Sequence, residues 1–126
     1  MYNEKKIMVM RVFKENLVDF IGELIIQFPE EPDLHIIKNF FVDICPAEEI
    51  IKYFVSNLLR PEVKNMIESK NEKFFLNNED LFSGVKNQSK VLHLKKLYNG
   101  SGKQQKEMIW QWIQKITKIA ELYTQV

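Results

Sequence analysis

Apolar residues recur at every third or fourth position along most of the chain, the repeat of helices with one buried face. Phe13, Leu17, Phe20, Ile21, Leu24, Ile25 and Phe28 follow this spacing. They predict a first helix over about 7–28, with Lys14, Glu15, Asp19, Glu23 and Gln27 on its other side and Pro29 as its stop. Gly22 lies inside that pattern, where glycine costs ~1 kcal/mol against alanine and opens room for close approach of another helix. A second helix is expected from an Asp33 N-cap to about Ile44, burying Leu34, Ile37, Phe40, Phe41 and Ile44. A third opens with Pro46 at its first position and Glu48-Glu49 in its first turn, with Ala47, Ile50, Ile51, Phe54 and Leu58 as its stripe.

Pro61 begins a fourth predicted helix, with Val63, Met66 and Ile67 inward and an end near Lys70-Asn71. Glu72–Leu76 is a short apolar plug, and Asn78 caps one or two turns through Phe82. The polar run 83–89 is a loop, and a helix over about 89–98 follows with Val91, Leu94, Leu97 and Tyr98 on its apolar side. Asn99-Gly100-Ser101-Gly102 is the clearest turn, and Ser101 with Gln104 has the spacing of a capping box. The last helix, about 103–123, carries Ile109, Trp112, Ile113, Ile116, Ile119, Ala120 and Tyr123 over four turns. Strand alternation and internal repeats do not occur. The expectation is an all-α single compact domain over 1–126, with six or seven helices and long first and last members packed centrally.

Composition agrees with that class. The chain has 126 residues, 45% hydrophobic and 28% charged, with only four Gly and four Pro; a fold of many short strands needs more turn residues. Lys supplies 16 of the 18 cations, and only Arg11 and Arg60 are arginine. Lys, Asn and Ile together make about a third of the chain, the bias of AT-rich codons. No stretch approaches the ~18–20 apolar residues of a membrane span, and no secretory signal is visible, so a cytoplasmic protein is expected.

Candidate chemistry is sparse. Cys45 has no cation within five positions and no second cysteine to pair with, so neither a disulfide nor a CxxC metal site is available, and a buried structural thiol is expected. His35 and His93 have no partner at ligand spacing. Glu30/Glu31, Glu48/Glu49 and Glu79/Asp80 are sequence neighbours, which diverge by ~100° on a helix and do not converge on one atom. Gly102-Lys103 lacks the second glycine and the hydroxyl of a phosphate loop, since Leu97 and Gln104 stand at those places. No catalytic, metal or cofactor residue is therefore assigned, and a non-enzymatic interaction or structural protein is the leading expectation.

Charge supplies the alternative. Residues 1–80 carry ten cations and fifteen acids, whereas 81–126 carry eight lysines and two glutamates. Lys86, Lys90, Lys95, Lys96, Lys103, Lys106, Lys115 and Lys118 suit non-specific phosphate contacts, with Tyr98 and Trp110 nearby. Without arginine in this half, base-specific readout is not expected. The same asymmetry also arises from an acidic half packed on a basic one. Trp110 points ~120° away from the apolar stripe of the last helix, among polar residues. It is either a contact to a neighbouring helix or to the Asn71–Leu76 plug, or, with Gln114 and Thr117, a protein-interface anchor for a partner or a second copy.

Phe20–Pro29 (FIGELIIQFP), Asn71–Leu76 (NEKFFL) with Asn78-Glu79-Asp80-Leu81-Phe82, and Ile109-Trp110-Gln111-Trp112-Ile113 resemble small uncharacterised helical proteins of giant DNA viruses. The resemblance spans most of the chain and carries no catalytic residue. It implies a protein made in infected cytoplasm or carried in the virion.

Overall fold

The computed structural model describes residues 3–77 and 88–126, with backbone alone at 58 and 88–91. Among them lie seven α-helices and no strand. They are α1 (Glu4–Gln27), α2 (Pro32–Asn39), α3 (Ala47–Leu58), α4 (Pro61–Glu68), α5 (Glu72–Asn77), α6 (Gln88–Asn99) and α7 (Lys103–Gln125). The first and last helices are the longest, and they make the most extensive helix–helix contact of the fold. The all-α architecture expected from periodicity is thus present.

Met10, Phe13, Leu17 and Ile21 of α1, Ile50 and Ile51 of α3, and Ile116 and Ala120 of α7 form the main core. Phe13 is fully buried and sets its ring edge-on to Phe54 at 5.1 Å. Each such side chain contributes about 1.5–3 kcal/mol by leaving water. A smaller cluster, Val63 and Ile67 with Phe74 and Phe75, closes on Ile113 of α7. The plug Glu72–Leu76 is therefore one short helix whose two phenylalanines cover α4.

Helix boundaries differ from the sequence expectation in ways with local causes. α1 starts three residues early because Asn3 accepts the Lys5 N–H at 2.9 Å, a side-chain cap. Asp33 is not the N-cap of α2; Pro32 precedes it inside the helix, where its fixed φ fits and its missing N–H costs nothing. Pro46 is itself the N-cap of α3, with extended ψ of 145°. α4 ends two residues sooner than expected in a Schellman turn: Lys70 N–H reaches Ile67 O and Asn71 N–H reaches Met66 O, both near 3.0 Å. Lys70 takes φ of 55° to close it. The expected Ser101–Gln104 capping box is displaced by one residue. Gly102 is the N-cap and donates its N–H to Gln105 Oε1 at 3.0 Å, while Ser101 donates to Leu97 O.

The larger correction concerns the end of α2. Phe40–Ile44 continues it as a wide turn, in which Cys45 N–H bonds back five residues to Phe40 O at 3.0 Å. One extra residue per turn breaks the three-four repeat. Phe40 and Ile44, expected inside, are consequently 44% and 70% exposed, while Phe41 stays against the core. The expected cap at Asn78 and most of the 83–89 loop lie outside the described residues.

Candidate functional site

The wide turn borders a concave surface feature. Between it and α1 runs an open groove of about 670 Å³. Ile7, Met10, Arg11, Lys14, Glu15, Val18 and Asp19 of α1 form one wall, and Val42 and Ala47 the other. Its size falls within the ~300–1,000 Å³ of ligand-sized concavities. Ile7 and Val42 are exposed on opposite sides of it, and the same two segments also expose Met8, Val12, Phe40 and Ile44. Lys14 stays half-buried, directing its ammonium to the carbonyls of Val42 and Cys45 at 3.4 and 3.5 Å. A cation suits these carbonyls, which sit where a helix leaves its last acceptors unpaired. The lining carries two cations and two carboxylates and includes no His, Cys, Ser, Thr or Tyr. It suits an apolar ridge flanked by charges better than a small polar substrate.

Cys45 lies beside this groove, and its thiol is pushed above its ordinary range by burial and by the negative charge of Glu49, against an opposing pull from Lys14. A raised thiol is a poor nucleophile at neutral pH.

The proposed interface residues Trp110, Gln114 and Thr117 are instead used inside the chain, which corrects the expectation that they form an outer face. Trp110 is 5% exposed. Its ring meets Phe75 edge-on at 5.4 Å, and its indole N–H donates to Tyr98 Oη at 2.7 Å. Tyr98 in turn donates to Glu72 Oε1 at 2.6 Å. Burial and the Glu72 hydrogen bond push the Tyr98 hydroxyl up to about 12, against the lowering effect of the Trp110 donor. Thr117 is buried and donates to Ile113 O at 2.7 Å. Gln114 donates to Ile67 O and Glu68 O, capping the end of α4. The physical reason is that α7 has neighbours on two sides, α1 and α3 on one and α4 to α6 on the other, so its buried arc is wider than one stripe.

The lysines of this set whose side chains are described do not share one surface. Lys86 lies outside the described residues, and only the backbone of Lys90 is described, in α6. Lys103 and Lys106 line a small polar pocket with Lys70, but Glu72 and Glu107 share it and Lys70 pairs with Glu107. Lys106 covers the Tyr98 ring at 5.1 Å and Lys115 the Trp112 ring at 5.0 Å. Lys95 is half-buried, and Lys96 and Lys118 are exposed. Lys103 and Lys115 stand twelve residues apart on α7, ~18 Å along its axis. The two acids of the basic half, Glu107 and Glu121, pair with Lys70 and Lys64 of the acidic half.

Of the paired carboxylates, Glu31 meets His93 at 2.7 Å and Glu48 meets Lys52 at 2.7 Å within α3. Among the described residues no group of three His, Cys, Asp or Glu is placed to hold a metal ion, and no helix is long and apolar enough to cross a membrane.

Sequence reasoning missed the groove. Its signal was present in Ile7, Met8, Val12, Val18 and Ile26, apolar residues of α1 that lie off the core stripe. The second wall was not legible, because it depends on the wide turn. No family model, curated protein or solved structure matches the chain.

Proposed function

We propose that this chain is a non-enzymatic protein-interaction domain, which receives an apolar ridge of another protein chain in the groove between α1 and the Phe40–Ile44 turn. The observation that carries the reading is the grouping of exposed apolar residues on the two segments that wall one concavity. Large apolar residues exposed singly are ordinary, whereas grouped ones mark a contact surface. The resemblance to giant-virus proteins extends the proposal to a site of action in infected host cytoplasm or the virion.

Tagged protein from its native cells tests this, with and without nuclease, in wild-type, Val42→Lys and Lys103→Glu/Lys106→Glu forms. The expected result is capture of protein that survives nuclease, is lost in Val42→Lys and persists in the lysine double variant. Capture abolished by nuclease and dependent on Lys103 and Lys106 refutes the proposal in favour of non-specific nucleic-acid binding.

A further inference from the structure

The charges of α1 are sorted along its length. Lys5, Lys6, Arg11 and Lys14 come first, with one acid, Glu4, among them, while Glu15, Asp19 and Glu23 follow with no further cation. This order opposes the helix dipole, which favours acids at the start of a helix and cations at its end. The fold engages Lys14 through the Val42 and Cys45 carbonyls and Lys6 over the Tyr123 ring, but among the described residues no ion pair engages Arg11, Glu15, Asp19 or Glu23. Gly22 is similarly unexplained. Among the described residues a Cβ there would meet only Lys38 Nζ at 3.7 Å, ordinary contact with a flexible end, so no described helix needs the glycine.

Resting on the docking reading above, we infer that the occupant of the groove is α1 of a second copy of this chain, lying antiparallel. The sign of the charge reverses between Lys14 and Glu15, and both residues line the groove. A twofold axis through that point sets Lys14 of each copy opposite Glu15 of the other, and Arg11 beside Asp19. It also brings Ile7 and Met8 over Gly22 of the second copy, where the absent Cβ leaves room. A twofold interface of this kind is self-complementary by construction. Parallel pairing would set like charges together, so the pattern selects orientation as well as partner. The groove residues of α1 run from 7 to 19, ~18 Å or about three turns of contact.

Charge reversal at two exposed positions tests the register. Arg11→Asp leaves acids at both 11 and 19, and Asp19→Arg leaves cations at both. Each single variant should keep the wild-type helical content but associate at least ~10-fold more weakly, since two symmetric pairs become repulsions. Mixed in equal amounts, the two variants should form a heterodimer of about twice the 15.1 kDa chain mass. In that mixture the acid introduced at position 11 of one copy faces the cation introduced at position 19 of the other, and the unchanged Asp19 and Arg11 face each other. Sedimentation equilibrium reads all three samples. Wild-type protein that stays monomeric up to ~1 mM overturns the inference, as do single variants that dimerise like wild type or a mixture that fails to associate. Val42→Lys separates this from the docking reading. If it leaves the dimer intact, α1 pairs outside the groove and the second-copy inference is overturned; if it also leaves capture of other proteins intact, the docking reading fails as well; if it abolishes capture of other proteins while wild type is monomeric, only the second-copy inference fails.

Discussion

Replacing Trp110 should damage the fold more than replacing Trp112, the reverse of what helical periodicity suggests. Trp110 is 5% exposed, edge-on to Phe75 at 5.4 Å, and donates to Tyr98 at 2.7 Å. Trp110→Ala removes a large buried ring and leaves a cavity between α5, α6 and α7, which costs ~3–5 kcal/mol. The lost hydrogen bond adds little, because Tyr98 Oη keeps Glu72 as an acceptor at 2.6 Å and no buried group is orphaned. Trp112 is half-buried, stacked on Phe20 at 6.0 Å and covered by Lys115 at 5.0 Å. Its truncation removes less area from a site that solvent and Lys115 can refill, so ~1–2.5 kcal/mol is expected. Urea unfolding followed by far-UV circular dichroism measures both. A domain of this size has ~5–15 kcal/mol in total, so Trp110→Ala can leave no folded baseline. Trp110→Phe, which keeps the ring contact and loses the N–H and some volume, should then cost ~1–2 kcal/mol. A cycle with Tyr98→Phe should show coupling of ~0.5–1.5 kcal/mol. Trp110→Ala within ~0.5 kcal/mol of wild type, or milder than Trp112→Ala, would refute the reasoning.

Other consequences follow from single observations. Tyr98 is held protonated in the folded state, to about 12 against an ordinary 10.0. The folded chain thus keeps a proton that the unfolded chain loses, so this contribution is full below pH ~10 and disappears as pH rises towards ~12. Discounted for partial exposure, Tyr98→Phe should be spared ~1–2 kcal/mol of the alkaline loss seen in wild type, and equal slopes for the two proteins would contradict the assignment. Gly22→Ala should raise monomer stability by ~0.5–1 kcal/mol, since the new methyl meets only Lys38 Nζ; a fall in Tm at low protein concentration would show a steric demand within the chain. Lys70→Gly should gain ~0.5–1 kcal/mol by relieving φ of 55° at the end of α4, less whatever the Glu107 pair contributes. Cys45, its thiol raised by burial and Glu49, should react with an alkylating reagent more slowly than free cysteine at pH 8, and equal rates would contradict its placement.

Helix content and the pairing of the ends were legible in the sequence because they follow from local repeats. Phe13, Leu17 and Ile21, like Ile116 and Ala120, fall on one side of their helices whatever the rest of the chain does, and long apolar stripes seek each other. Pro29, Pro61 and the Asn99–Gly102 turn interrupt the helices for reasons internal to a few residues. Capping was legible only to within a residue, because Asn3, Gln105 and Pro32 compete with their neighbours on energies of ~1 kcal/mol or less. What only tertiary structure decided is which other faces are covered. A periodic pattern reports one buried direction per helix, yet α7 is packed on two sides, so Trp110 and Thr117 are buried on a side of the helix that they share with Lys106, Gln114 and Glu121. Phe40 and Ile44 are exposed for the converse reason: the wide turn rotates them out of a stripe that the sequence continues, and Val42 of that turn joins Ala47 of α3 as the second wall of the groove. Lys14 reaches the carbonyls of Val42 and Cys45 across twenty-eight and thirty-one residues, a meeting of charge and backbone that no spacing along the chain encodes, since it arises from the packing of one helix against the end of another.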